Sequence, residues 1–230
     1  LQLGLRENNF LGKGQKVKFT STIANTRNTY DLSITEPYFN NKPLSLTSQI
    51  YSNFSDPSSA NYETEDFGFG LSSAFPLSSD RFLEVRYSLF TTKIKADSNA
   101  TSYERALSGT DTVSMIGHSL SFDKRNSRYK PSRGFNFILN QDLAGIGGNS
   151  KYFKNSLEFN SYKRLSNSFI GAFKLKGGNI NGYNGKYAPL SSNFKLGGKK
   201  LRGFKSGKIG PRIGNSYTGG QYYYLTSLET

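Results

Sequence analysis

The 230-residue chain carries 30 Lys and Arg against 16 Asp and Glu, a formal charge of +14, with 18 Phe, 15 Tyr and only 35% hydrophobic residues. Lacking cysteine, it has no disulfide framework and no thiol chemistry, and with His118 as its one histidine a zinc site of His and Cys is nearly excluded. No run of about 18 apolar residues offers a transmembrane helix, nothing at the start reads as a signal peptide, and the positive charge calls for nucleic acid, anionic lipid or acidic protein unless Lys simply fills wet positions.

Leu1, Leu3 and Leu5 alternate with polar residues, which is the strand period. A turn at Asn8–Gly14 follows, then a second strand with Val17, Phe19 and Ile23 set against Lys16, Lys18, Thr20 and Thr22. After Thr26-Arg27-Asn28 turns the chain, Tyr30, Leu32 and Ile34 mark a third strand ending at Glu36-Pro37-Tyr38-Phe39. Leu46, Ile50 and Phe54 define the fourth; Phe67, Phe69, Leu71 and Phe75 the fifth; Val85, Tyr87 and Leu89 the sixth. Residues 97–110 read as a polar loop, and Ile116, Leu120 and Phe122 as the seventh strand. Within it, Gly117-His118-Ser119-Leu120-Ser121 lacks the second glycine of a nucleophile elbow, so His118 reads as a strand residue facing solvent or a lumen, not a catalytic base.

The eighth strand presents Phe135, Phe137, Leu139 and Leu143 on one side and Asn136, Asn140 and Asp142 on the other. Ala144–Ser150 reads as a Gly-rich loop; Phe153, Leu157 and Phe159 mark a ninth strand ending near Arg164, Phe169, Phe173 and Leu175 the tenth, and Tyr222–Glu229 is the eleventh. No helix is predicted. The strands of eight to fourteen residues are longer than the five or six of a soluble sandwich and fit the ~9–11 residues that cross a bilayer at a tilt. Short and longer connections tend to alternate, and Phe10, Tyr38, Phe39, Phe54, Phe75 and Tyr152 near strand ends suit interfacial girdles. The pattern predicts an all-β fold, a transmembrane antiparallel β-barrel. Eleven strands would leave two open edges, not viable in lipid, so the chain is expected to be part of a larger barrel.

The longest stretch without strand character is roughly 178–221. Loops of that length in compact domains are functional or disordered. This one is basic (Lys195, Lys199, Lys200, Arg202, Lys205, Lys208, Arg212) and holds Gly197-Gly198 followed by Leu201-Arg202-Gly203-Phe204. An arginine so placed meets carboxylates through its planar fork of donors, and Glu229 of the last strand is a candidate partner. Basic residues interleaved with aromatics also occur in single-strand nucleic-acid sites. Here, however, they are spread over nearly every strand and form no stripe, so no nucleic-acid partner is expected.

Several motifs together resemble the BamA family of outer-membrane protein assembly factors. Asn8-Asn9-Phe10-Leu11-Gly12-Lys13-Gly14 is similar to the turn near the start of that barrel, and Thr35-Glu36-Pro37-Tyr38-Phe39 to its next strand ending. Tyr129-Lys130-Pro131-Ser132-Arg133-Gly134 resembles a further turn, one residue shorter here. Gly197-Gly198, Leu201-Arg202-Gly203-Phe204 and Ile209-Gly210-Pro211 are similar to the family's sixth-loop signature, and Gly219-Gly220…Ser227-Leu228-Glu229 to the strand after it. The stretch between Pro211 and Gly219 is much shorter than in well-known members. The resemblance covers the whole chain in family order. It implies strands two to twelve of a sixteen-stranded barrel in the bacterial outer membrane, with the periplasmic POTRA domains and terminal strands outside the sequence.

The resemblance further implies a protein that inserts unfolded β-barrel clients through a lateral seam and local membrane thinning, without enzymatic chemistry or cofactor. Its partners would be those clients, assembly-complex lipoproteins and outer-membrane lipid. It places the loop in the lumen, with Arg202 on Glu229, Gly203 allowing close backbone approach and Phe204 against the wall. A two-partner secretion or TamA-like barrel, a plain porin and a soluble β-sandwich are the alternatives. Glu36-Pro37-Tyr38-Phe39 favours BamA over the two-partner secretion and TamA-like barrels.

Overall fold

The computed structural model describes residues 1–56, 61–186, 188–189, 192–213 and 216–230. Among them, eleven antiparallel strands form one continuous sheet. In chain order these are β1 (Gln2–Phe10), β2 (Gln15–Ala24), β3 (Arg27–Glu36), β4 (Ser45–Ser55), β5 (Tyr62–Ser78), β6 (Arg81–Ala96), β7 (Gly109–Asp123), β8 (Gly134–Gly148), β9 (Tyr152–Arg164) and β10 (Ile170–Gly182). Two short strands, β11 (Arg212–Ile213) and β12 (Ser216–Tyr217), pair with each other in the long loop, and β13 (Tyr222–Glu229) pairs with β10. Every sequential pair is a neighbour, so the sheet is an up-and-down meander whose outer strands are β1 and β13.

Directly paired residues share a face, and the register sorts the side chains cleanly. One row runs Leu32, Ile50, Phe69, Leu89 from β3 to β6; another runs Leu83, Leu120, Leu139, Leu157 from β6 to β9. Water would penalise this face, since Leu32, Ile50, Phe69 and Leu89 are between 38 and 50% exposed. An exposed apolar band of this kind is what lipid-facing walls present.

The opposite face is polar and internally satisfied. Gln49 bonds Asp31, Asn160 donates to Asn136 and Glu158, and Lys176 pairs with Glu158 at 2.9 Å. Arg86 and Asp142 meet at 2.5 Å across Gly117, which lies between them in the same row. A Cβ at Gly117 would sit 2.0 Å from the Asp142 carboxylate, so the close approach requires glycine.

Three local expectations are corrected. The loop at 97–110 contains a short helix, α1 (Ser102–Ala106), started by a capping box in which Thr101 and Glu104 satisfy each other's backbone N–H. The Gly-rich stretch at 144–150 is mostly strand: β8 continues to Gly148, past a register shift opposite Ser114 and Met115. The extra residues of that bulge are absorbed at Gly145, with φ 124°. Likewise β10 runs to Gly182, so the long loop begins at residue 183, five residues later than predicted.

Candidate functional site

The long loop lies on the polar face at the end of the strands opposite the short turns. Its base is a small buried cluster of Val113, Ala144, Tyr152, Ile180 and Ala188, with Phe90, Met115 and Phe194 packed against it. Phe194 exchanges two backbone hydrogen bonds with Gly220, at 2.9 and 3.0 Å. Its ring lies 4.7 Å from that of Tyr223 on β13, and the Lys154 ammonium sits 4.8 Å above it while donating to the Ser192 carbonyl at 3.0 Å. Gly178 on β10 makes room for this: a Cβ there would stand 2.8 Å from the Phe194 ring, the Tyr223 ring and the Asn155 carbonyl.

From Phe194 the loop extends across the sheet. Lys195 reaches the Tyr62 hydroxyl on β5 at 3.4 Å. Residues 196–209 fold back on themselves, with Leu196 bridged to Ile209, Gly207 N–H donating to the Leu196 carbonyl and Gly198 N–H to the Phe204 carbonyl at 2.7 Å. Gly197 (φ 107°) needs its missing Cβ, which would meet the Lys205 carbonyl at 2.1 Å. Gly198 and Gly210 also hold positive φ, and the Pro211 carbonyl accepts from Thr218 N–H at 3.0 Å. Both Lys208 and Arg212 lie over the Tyr217 ring, at 5.2 and 5.0 Å.

Leu201, Arg202, Gly203 and Phe204 form the tip of this fold-back. Leu201 is half-buried, whereas Arg202 and Phe204 are exposed, Phe204 by 56%. No atom comes within 4 Å of a Cβ at Gly203; glycine serves its φ of 86° and not a close approach. Arg202 and Glu229 are not within ion-pair distance. Glu229 is bonded to Lys174 at 2.5 Å and to Ser227, and the Arg202 charge acts on that carboxylate only as the weakest of several influences. Glu229 is the last residue of β13, at the far end from the loop's entry.

Sequence reasoning missed Phe194, Gly178, Tyr223 and Lys154 as holding the loop. The available signal was Gly177-Gly178 inside a strand, since interior strand glycines mark close approaches. His118 joins Val85 and Gln141 on the apolar outward face, away from solvent-filled space and loop alike. No group of His, Cys, Asp and Glu suited to a metal occurs among the described residues.

Comparison with known proteins adds an independent line. The Omp85 superfamily domain matches residues 9–230. The mouse sorting and assembly machinery component 50 homolog is 29% identical over 99% of this chain and 49% of its own length. Outer membrane protein assembly factor BamA of Neorickettsia risticii is 25% identical over 97% of this chain and 31% of its own. Among solved structures, BamA of Haemophilus ducreyi lacking POTRA domains 1–3 superposes with a TM-score of 0.87 at 22% identity, covering 99% of this chain and 49% of that one. The chain therefore spans at most about half the length of these relatives, and the shared structure is the barrel wall.

Proposed function

The chain belongs to the Omp85 superfamily, and from that premise we propose that it is the barrel portion of an outer-membrane protein assembly factor that inserts other β-barrel proteins. The observation that carries the reading is the loop on the polar face. It is a long segment with the Arg-Gly-Phe tip, seated by Phe194, in a chain whose matched relatives are named as assembly factors and assembly-machinery components. In a plain diffusion channel the Arg202-Gly203-Phe204 tip would have no special role.

In this reading the polar face lines a lumen and the short turns mark the periplasmic or equivalent side. The chemistry is non-enzymatic: client strands add to an opened edge by backbone pairing, at a lateral seam with a thinned bilayer beside it. Partners are unfolded barrel clients, accessory lipoproteins and outer-membrane lipid. Arg202 acts on Glu229 through the lumen, sharing that carboxylate with Lys174, and closes to a bidentate contact when the loop is fully seated. The membrane is a bacterial outer membrane, as the name of the Neorickettsia risticii relative supports.

Depletion tests the function. Loss of the protein from its host should leave other outer-membrane barrels unfolded while helical membrane proteins assemble normally. Unchanged levels of folded barrels would reject the reading.

A further inference from the structure

One feature of the outer wall has no part in loop seating or client insertion. At the short-turn end of β6–β9, cations gather directly beneath an apolar groove. Arg81 and Lys124 approach the same Asp80 carboxylate, at 3.9 and 3.6 Å, and Arg81 stacks on Phe122 at 5.2 Å. Asp80 lies in the β5–β6 turn, where the Ser78 hydroxyl, donating at 2.6 Å, and these cations hold its carboxyl below the usual range. Lys163 ends the same face of β9, three strands along from β6. The turn between β7 and β8, Lys124 to Arg133, contains five cations, two of which, Arg125 and Arg128, are paired with Asp123 at the end of β7, at 2.8 and 3.5 Å.

That turn is a built structure. The Asn126 side chain accepts from Ser132 N–H and Arg133 N–H at 3.0 and 2.9 Å and donates to the Ser132 hydroxyl at 2.9 Å. Gly134, at φ 95°, lets the strand start pass close to the Lys124 carbonyl, which a Cβ there would meet at 2.1 Å. Lys130 and Arg133 are exposed, with no ion pair among the described residues, and Tyr129 at the tip is 97% exposed. Immediately inward lies a ladder of rings, Phe122–Phe137 at 6.1 Å, Phe135–Phe159 at 5.9 Å and Phe159–Phe173 at 6.4 Å. Aromatics at this level mark the membrane interface.

The groove continues from there on the same face. It measures about 570 Å³ and is walled by Leu83, Val85, Ile116, Leu120, Leu143 and Phe153. Leu83 and Val85 follow Arg81 at the two-residue period, so cation and hydrocarbon wall are successive rungs of one strand.

We propose that this wall binds an anionic phospholipid of the leaflet bordering the short turns, its phosphate against Arg81, Lys124 and the exposed cations of the 124–133 turn, one acyl chain in the groove. A soluble acidic partner has no use for the groove, and a zwitterionic lipid none for the cluster of cations. Only a molecule with negative charge joined to hydrocarbon fits both.

These 230 residues hold no tryptophan, so one reporter can be placed among them once any tryptophan elsewhere in the full protein is replaced by phenylalanine. With Ile116→Trp in the groove and the protein refolded into vesicles, acyl-brominated phosphatidylglycerol should quench at least about threefold more effectively than brominated phosphatidylcholine, given the pull of anionic lipid on each basic residue. Arg81→Gln/Lys124→Gln should bring the ratio to about one, as should high salt on the unaltered cations. An outward reporter on the far wall, Ile34→Trp, should show a ratio of about one throughout. Equal quenching by both lipids at Ile116→Trp, a preference that survives loss of the cations, or the same preference at Ile34→Trp would overturn the proposal. Binding of an acidic peptide to the solubilised protein with no lipid preference would assign the cations to a protein partner instead.

Discussion

Replacing Gly178 with alanine should unseat the loop without unfolding the wall. The new Cβ would meet three atoms at 2.8 Å. One of them, the Asn155 carbonyl, belongs to the β9–β10 pairing and cannot yield; the Phe194 ring, carried on the loop, can. Moving it sacrifices the ring contact with Tyr223 at 4.7 Å and the seat under Lys154 at 4.8 Å. An aromatic pair contributes about 0.5–1.5 kcal/mol and a partly desolvated cation–π contact about 0.5–2 kcal/mol. The combined loss, about 1–3 kcal/mol, agrees with the ordinary cost of overpacking and corresponds to roughly a 5- to 150-fold larger open fraction. The loop is dense in trypsin sites, Lys195 through Arg212, so cleavage reads the opening directly. Faster cleavage at those sites, with the heat-modifiable gel mobility of a folded barrel retained, is the expected outcome. Cleavage at the wild-type rate would mean that Phe194 does not hold the loop, and the docking argument would fail with it.

Other perturbations probe separate parts of the wall. Gly117→Ala should separate Arg86 from Asp142 and destabilise the sheet by about 1–3 kcal/mol, since each half-buried partner loses a charge-assisted contact; Gly70→Ala, whose nearest contact would be 3.8 Å, should cost far less in the same urea titration. Glu104 is fully buried and accepts from Asn61 and Thr101, so Glu104→Ala should loosen residues 61 and 97–108 by about 1–3 kcal/mol, read by hydrogen exchange, and leave the strands protected. Arg202→Ala should leave refolding yield unchanged yet impair client insertion; Lys174→Ala, by freeing Glu229 for Arg202, should protect the loop tip from trypsin rather than expose it.

The two-residue period made most of the wall legible. Leu32, Ile50, Phe69 and Leu89 were assigned to one face of their strands by alternation alone, and the register places them in one row. Even His118 was in phase with Ile116 and Leu120; only the weight given to its polarity turned it toward water or a lumen. Helix α1 was announced by Thr101 and Glu104 three residues apart, a signal masked by the polar residues around it. What alternation could not reveal was contact between distant segments. Nothing local in Phe194 says that it seats on Gly178, and nothing local in Glu229 says that Lys174, across the β10–β13 pair, holds its carboxylate more closely than Arg202 does. Strand ends were misjudged where glycines at 145, 148 and 182 extend a ladder that their composition argues against.

The central claim, that this wall and its loop belong to a machine that inserts β-barrels, is tested most directly by the folding rate of an unfolded barrel client on lipid vesicles with and without the protein. The account predicts that the protein accelerates client folding and that Arg202→Ala loses the acceleration while remaining folded. Client folding at the rate of protein-free vesicles, accompanied by steady ion conductance through the wild-type protein, would contradict it and leave a simple channel.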